Sequence, residues 1–134
     1  MDDAYKQQIE DLLADKYDYI FITDYLSDTE LVALRKVTDV LIEVQTDDAL
    51  NATMLETMYA GGEVITGSWL PYKDIYDRGV KMRQVDAVDD VGSEMRAYLT
   101  DPMSTEERQN NRAVIEKLYR WENIIGEWAA LYEE

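Results

Sequence analysis

Two carboxylates with seven residues between them, Asp48 and Glu56, lie on either side of the start of a predicted helix. The backbone N–H groups of Asn51, Ala52 and Thr53 lie in the first turn of that helix. A helix start binds anions, because its unpaired amides and its dipole both favour negative charge. A carboxylate one or two turns further along can accept hydrogen bonds from sugar hydroxyls. The ligand that this arrangement suits is a diphosphate joined to a ribose.

The same residues also have ordinary structural interpretations. An Asp two or three residues before a helix is usually its N-cap, and Asn51 competes with Asp48 for that role. Glu56 has the alternative of a plain exposed helical glutamate. Gly61 and Gly62 are typical of a helix C-cap followed by a tight turn. From the sequence alone, the ligand-binding and structural interpretations of this segment both stay open.

The elements around the segment alternate between strand and helix, which predicts an α/β fold with a parallel sheet. The apolar run from Val40 to Val44 predicts a strand, residues 51–60 a helix and residues 63–66 the next strand. Capping-box patterns at Ser27 and Ser104 predict the starts of two further helices. The remaining predicted elements are strands at 19–23 and 80–85 and helices at 3–14, 73–76, 88–99 and 118–132.

The ordered set of these elements resembles the C-terminal half of a GT-B-fold glycosyltransferase, close to the retaining enzymes of family 4. The resemblance rests on the spacing of Asp48 and Glu56, with an Ala-Gly step before the next strand. It also rests on the segments Tyr19–Ser27, Thr38–Gln45 and Ile65–Tyr72, and it runs from about residue 18 to residue 132. It implies a Rossmann-like parallel sheet of about four strands flanked by helices, with two terminal helices, in one domain spanning residues 1–134.

The resemblance also implies roles for individual residues. Glu56 would hydrogen-bond the ribose of a nucleotide-sugar, and Asp48 a hydroxyl of the donor sugar. The donor-binding set implied is Asp48, Asn51, Ala52, Thr53 and Glu56, and the nucleobase or sugar set is Asp24, Tyr25, Leu26, Gly67 and Ser68. Residues 24–26 have the alternative of a plain turn at a strand end. The resembled enzymes transfer a hexosyl group with retention, stabilise the departing diphosphate by positioned hydrogen bonds, and need no metal or cofactor in the site.

Parts of the resembled enzymes have no counterpart in this sequence. The chain starts at the first helix of the half-domain, without the strand that precedes it and without the N-terminal acceptor domain. The family's phosphate-gripping Arg and Lys come from that region, and Arg35 and Lys36 lie on a different predicted helix. We therefore expect weak donor binding, and no transfer unless an N-terminal half completes the enzyme. The alternative is a non-catalytic interaction module, self-associating as a homodimer because a missing strand leaves sheet edges unpaired.

Composition excludes several other classes of function. The chain of 134 residues has neither His nor Cys, which removes the usual general base, thiolate chemistry and the commonest metal ligands. Its net charge of −16 argues against binding nucleic acid or anionic lipid, and it would repel a diphosphate. No apolar run approaches the length of a membrane span and the acidic N-terminus does not resemble a secretory signal, so we expect a cytoplasmic protein.

The end of the chain carries an apolar stripe at helical spacing. Trp121 and Trp128 are seven residues apart and share a predicted helix face with Ile125 and with Leu131 or Tyr132. The simpler interpretation of such a stripe is core packing. The alternative is an oligomer contact, because large apolar patches seldom stay bare.

Overall fold

The computed structural model of the chain describes residues 3–14 and 16–132. The described chain divides into two compact units, one ending at Leu31 and the other beginning at Val32. The helices and strands in chain order are α1 (Asp3–Leu13), α2 (Asp28–Val37), β1 (Val40–Glu43), α3 (Ala52–Ala60), β2 (Glu63–Gly67), α4 (Lys73–Asp77), β3 (Arg83–Val85), a 3₁₀ turn (Val88–Asp90), α5 (Val91–Thr100), α6 (Thr105–Tyr119) and α7 (Trp121–Ala130).

The sheet is parallel throughout, with the strands in the order β1-β2-β3. In its register Val40 pairs with Glu63 and Glu43 pairs with Thr66, so the carboxyl ends of β1 and β2 meet at one edge of the sheet. All five residues of the central strand β2 are buried, as is typical of a parallel sheet covered on both faces. The predicted α/β fold with a parallel sheet is confirmed.

The predicted strand at residues 19–23 is wrong, so the sheet has three strands instead of about four. Residues 17–23 have no regular secondary structure, and Ile20 and Ile22 have exposed fractions of 88% and 50%. The first unit otherwise contains α1 and the start of α2, so its described residues offer no strand with which this segment could pair. A strand needs such a neighbour to satisfy its backbone N–H and C=O groups.

The core of the second unit lies between the sheet and the helices α3 and α6. Its buried hydrophobic residues include Met54 and Met58 from α3, Val64 from β2 and Ile115 from α6. Burying such side chains supplies about 1.5–3 kcal/mol each. This packing fixes α3 against both β2 and α6, and α3 is the helix that carries most of the predicted donor-binding residues.

Buried ion pairs at the amino end of β2 tie the sheet to α5 and α6. The Glu63 side chain is fully buried, with its Oε2 atom 3.1 Å from Arg83 Nε and its Oε1 atom 2.6 Å from Arg108 Nη2. The backbone N–H of Met103 donates a further hydrogen bond to Glu63. Arg83 also pairs with Glu94 of α5 at 2.8 Å. Because taking a charge out of water is costly, these ion pairs offset the burial of Glu63.

The predicted helix ends are largely confirmed. The Ser104 hydroxyl accepts from the Glu107 backbone N–H while the Glu107 carboxylate accepts from the Ser104 backbone N–H, which completes a capping box. Ser27 and Glu30 make the same reciprocal bonds. At the end of α3, Gly61 has φ = 106°, a left-handed conformation that favours glycine.

Candidate functional site

The amino end of α3 is capped by Asn51, which settles the competition for that role. Asn51 Oδ1 accepts hydrogen bonds from the backbone N–H groups of Thr53 at 2.8 Å and Met54 at 3.4 Å. The Leu55 N–H donates to the backbone carbonyl of Asn51 at 3.2 Å. The Thr53 amide, predicted to bind a diphosphate, is therefore engaged by the protein itself. The Ala52 amide takes no part in this cap.

Asp48 lies in the loop between β1 and α3 and does not cap the helix. Its Oδ2 atom accepts a hydrogen bond from the Tyr72 hydroxyl at 2.6 Å, and its Oδ1 atom accepts from the Ala49 N–H at 2.8 Å. The bond from Tyr72 is the main cause that lowers the pKa of Asp48. Burial and the same bond raise the pKa of Tyr72 well above its usual range. Asp48 is therefore held as an anion at the carboxyl end of β1.

Glu43, at the end of β1, is a buried carboxylate that was not among the residues predicted for the site. The residue is 6% exposed, and its Oε2 atom accepts a hydrogen bond from Asn51 Nδ2 at 2.7 Å. Its Oε1 atom is buried without a hydrogen-bond partner among the described residues. Burial, followed by the charge of Asp48, raises the pKa of Glu43. The available signal was an acidic residue inside an apolar strand.

Glu56 forms an ion pair with Arg35, a residue of α2. Arg35 Nε lies 3.2 Å from Glu56 Oε2, and Arg35 Nη2 donates to Thr53 Oγ1 at 3.2 Å. The Arg35 side chain is 16% exposed, while that of Glu56 remains 56% exposed. Arg35 lies on a different helix from the site, as predicted, and α2 brings its guanidinium to the first turn of α3. No local spacing could have indicated this contact.

A cavity of about 460 Å³ runs between α3 and α6. From α3 it is lined by Ala52, Leu55, Glu56 and Tyr59. Two of the predicted donor-binding residues, Ala52 and Glu56, thus border a concave space of the size that small-molecule sites have, about 300–1,000 Å³. The cavity was not predicted from the sequence, because its other wall comes from a helix about 60 residues further along the chain.

Gly67 and Ser68 lie at the carboxyl end of β2, where bonds within the protein engage them. The Trp69 ring packs against Gly67 so closely that an added Cβ would collide with it. The same ring donates its Nε1–H to the carbonyl of Gln45 at 2.8 Å. The Ser68 hydroxyl donates to Asp86 Oδ1 at 2.7 Å. The Trp69 ring therefore covers Gly67, and the assignment of Gly67 and Ser68 to a nucleobase or sugar pocket stays a prediction.

The predicted nucleobase residues Asp24, Tyr25 and Leu26 belong to the first compact unit, unlike the remaining site residues. They lie in a stretch without helix or strand, and Tyr25 is 94% exposed. Their assignment to a base pocket stays a prediction.

Two further properties bear on the kind of site. Across residues 3–14 and 16–132, no group of three or more acidic side chains is placed to hold a metal ion. Within the same residues, no helix is long and apolar enough to cross a membrane.

The fold of the chain is that of one half of the GT-B architecture. The chain is similar to the solved structure of sucrose-phosphate synthase from Thermosynechococcus elongatus, with a TM-score of 0.76 and 18% sequence identity. The match covers 97% of this chain and 34% of the synthase, consistent with its C-terminal half. No protein-family model and no curated protein matches the chain. The resemblance inferred from the sequence is confirmed at the level of the fold.

Proposed function

We propose that the chain binds the nucleotide-diphosphate end of a sugar donor, as the donor half of a GT-B glycosyltransferase. The observation that carries the proposal is the shared position of Ala52 and Glu56 on one cavity wall, in a fold of this class. A bound donor would place its ribose at Glu56 and its diphosphate towards the amino end of α3. Arg35 pairs with the Oε2 atom of Glu56, whose side chain remains 56% exposed.

The same contacts support weak binding. Asn51 occupies two of the first-turn amides, so a diphosphate would have to displace its side chain or use the Ala52 amide. Glu43 and Asp48 add negative charge beside that turn, and Arg35 is the cation bonded to it. Because the whole chain carries a net charge of −16, the field around the site opposes an anionic ligand.

Transfer of the sugar is proposed to need a second domain. Catalysis in this class is electrostatic, by groups that stabilise the departing diphosphate. Few groups around α3 could stabilise a departing diphosphate. In such an enzyme the acceptor is bound by the other half, so it would approach from that half. We therefore expect the purified chain to bind a nucleotide-sugar without transferring or hydrolysing it. Hexosyl transfer would appear only when an N-terminal half is supplied.

Calorimetric titration with a panel of nucleotide-sugars tests the proposal. The expected result is millimolar to high-micromolar binding of at least one donor, weakened about tenfold in Glu56→Gln, the loss that one charge-assisted hydrogen bond implies. The matched control is Glu106→Gln, an exposed glutamate on α6 that should leave the affinity unchanged. Absence of heat with every donor at millimolar concentration would overturn the proposal.

A second candidate function, self-association, is supported by exposed apolar surface. The stripe on α7 is not core: Trp121, Ile125 and Trp128 have exposed fractions of 59%, 41% and 50%. The simpler interpretation of that stripe is therefore wrong. In addition, β1 is an edge strand of the described sheet, and an apolar edge tends to pair with another chain.

Light scattering over a range of salt concentrations tests self-association. Two copies with a net charge of −16 each repel one another, so salt should strengthen a homodimer by screening that repulsion. We expect a monomer at low ionic strength and a dimer at about 1 M salt. Trp128→Glu should abolish the dimer and Glu127→Gln, beside it on α7, should not. A strict monomer at high protein and salt concentrations would rule this function out.

A further inference from the structure

The segment of residues 18–25 makes no backbone hydrogen bond within the part of the chain that the structure describes. Before it, the Tyr17 N–H donates to the Leu13 carbonyl at 3.3 Å, and after it the Leu31 N–H donates to the Ser27 carbonyl at 2.9 Å. Between these two bonds, every N–H and C=O group of the backbone is available to a partner. Backbone groups are strong donors and acceptors, so such a segment can pair with another strand.

The middle of this segment already has the side-chain arrangement of a strand. The rings of Tyr19 and Phe21, two residues apart, meet edge to face with their centroids 5.3 Å apart. Side chains at i and i+2 lie on the same side of an extended backbone. The alternate residues, Ile20 and Ile22, then lie on the opposite side, and both are exposed. All of residues 19–23 are β-branched or aromatic, the types that favour strands.

The sheet of the second unit has an edge that such a segment could extend. β1 pairs with β2 along one side, and among the described residues no strand pairs with its other side. Ile42, within β1, is exposed, so this edge presents an apolar side chain as well as unpaired backbone groups. An extended segment of another chain can add to an edge of this kind. The backbone hydrogen bonds then supply affinity and the alternate side chains supply specificity.

We propose that residues 19–23 of one copy of this chain pair with the free edge of β1 in a second copy. The inference rests on the second proposed function, self-association, and deepens it by naming the two segments that meet. Each chain carries both the unpaired segment and the unpaired edge. In a pair related by a twofold axis, each copy therefore gives one segment and receives one. The exchange closes on itself and leaves no free edge of β1 for a third copy.

The two segments are compatible in charge and in shape. Residues 19–23 carry no charge, and the one charged residue of β1, Glu43, is buried. Pairing here therefore brings no exposed like charges together, although each copy has a net charge of −16. Because side chains two apart share a face of a sheet, Ile20 and Ile22 can both lie on the face that carries Ile42. Their exposed apolar surfaces would then cover one another.

Light scattering of single proline variants of the full chain, at about 1 M salt, tests the exchange. Adjacent N–H groups of a strand point to opposite edges, so either Ile20→Pro or Phe21→Pro must remove a bond to β1. We expect one of the two to weaken dimerisation by about tenfold or more. Tyr25→Pro, at an exposed position outside the proposed contact, is the matched control and should leave the dimer unchanged. A dimer that persists in both variants but is lost in Trp128→Glu would overturn the inference and leave self-association intact.

Nuclear Overhauser effects in the wild-type chain keep the test independent of how the variants fold. In an equal mixture of isotope-labelled and unlabelled chains, we expect contacts between Ile20 or Ile22 of one copy and Ile42 of the other. A dimer without these contacts would overturn the inference alone. The same contacts in a dilute, monomeric sample would also overturn it, because the segment would then pair with the sheet of its own chain. A strict monomer at high protein and salt concentrations would overturn both the inference and self-association.

Discussion

Two buried glutamates at opposite ends of the sheet have contrasting surroundings. Glu63, at the amino end of β2, is fully buried between Arg83 and Arg108, and it also accepts a backbone hydrogen bond. Glu43, at the carboxyl end of β1, is nearly as buried but has no ion pair. One of its oxygens has no hydrogen-bond partner among the described residues, and burial and the negative charge of Asp48 raise its pKa.

The difference separates a structural end of the sheet from a candidate functional end. In parallel α/β sheets, ligands bind outside the carboxyl ends of the strands. Glu63, at the amino end of the strands, lies away from that ligand-binding position and is fully paired. Glu43 is buried although one of its oxygens has no hydrogen bond, and such unfavourable arrangements are typical of functional sites. Substitutions of single residues at each end test this difference.

The largest effect is expected for Glu63→Gln. The substitution leaves the partly buried guanidinium groups of Arg83 and Arg108 without their shared anion, and breaking a buried pair costs about 3–5 kcal/mol. Urea denaturation should show a lower midpoint with an unchanged slope. Glu106→Gln, at an exposed position of α6, should stay within about 0.5 kcal/mol of wild type. A loss below about 1 kcal/mol for Glu63→Gln would remove the contrast between the two ends.

A smaller effect is expected for Tyr72→Phe, which removes one hydroxyl at the carboxyl end. The lost hydrogen bond to Asp48 should cost about 1–1.5 kcal/mol. That bond is the main cause of the lowered pKa of Asp48, so the pKa should rise towards its ordinary value of 3.8. The carboxyl carbon of Asp48, followed by NMR through an acid titration, reports the change directly.

The sign of the pH dependence follows from the direction of that shift. A carboxylate whose pKa is lowered on folding adds stability above its unfolded pKa, and this stability is lost as the pH falls through the folded value. The free energy of unfolding of the wild type should therefore exceed that of Tyr72→Phe by the largest amount above about pH 4. The free energies of unfolding of the two proteins should converge below the lowered pKa of Asp48. A constant difference down to pH 2 would show that packing, and not the Asp48 bond, stabilises this loop.

Local patterns in the sequence were sufficient for most of the fold. The parallel strands β1 and β2 and both capping boxes follow from apolar runs and cap residues that lie next to each other in the chain. The segment at 19–23 has the same apolar pattern as β1, yet it is not a strand. The apolar pattern of residues 19–23 is compatible with a strand. A strand forms only where a neighbouring strand pairs with it, and local sequence does not show whether one is present.

The candidate site was only partly predictable, for the same reason. Asn51 as a cap and Glu56 on α3 follow from local sequence. Arg35, the Glu43 contact with Asn51 and the second wall of the cavity depend on how separate elements pack. For Glu43 the sequence gives only a weak signal, an acidic residue in an apolar strand, and it does not show that the side chain is buried with one oxygen unbonded. Only its burial distinguishes it from the many solvated carboxylates of this acidic chain.

The smallest effect, with the opposite sign, is expected for Glu43→Gln. The neutral amide can still accept the hydrogen bond from Asn51, and it removes a buried negative charge near Asp48. We expect the variant to be more stable than wild type at pH 7, by on the order of 1 kcal/mol, the scale of one poorly satisfied buried group. Folding raises the pKa of Glu43 above its unfolded value near 4.5. The contribution of Glu43 to the stability of the wild type is therefore fully present below the unfolded pKa and is lost as the pH rises through the folded pKa.

The difference in stability between Glu43→Gln and wild type should therefore be small at pH 4 and grow towards neutral pH. Urea denaturation at several pH values measures it, and Glu106→Gln again serves as the exposed control. If Glu43→Gln were instead destabilising by several kcal/mol at every pH, Glu43 would be a paired structural charge like Glu63. The carboxyl end of the sheet would then lose its distinction as the under-satisfied end, because both glutamates would be held by partners within the fold.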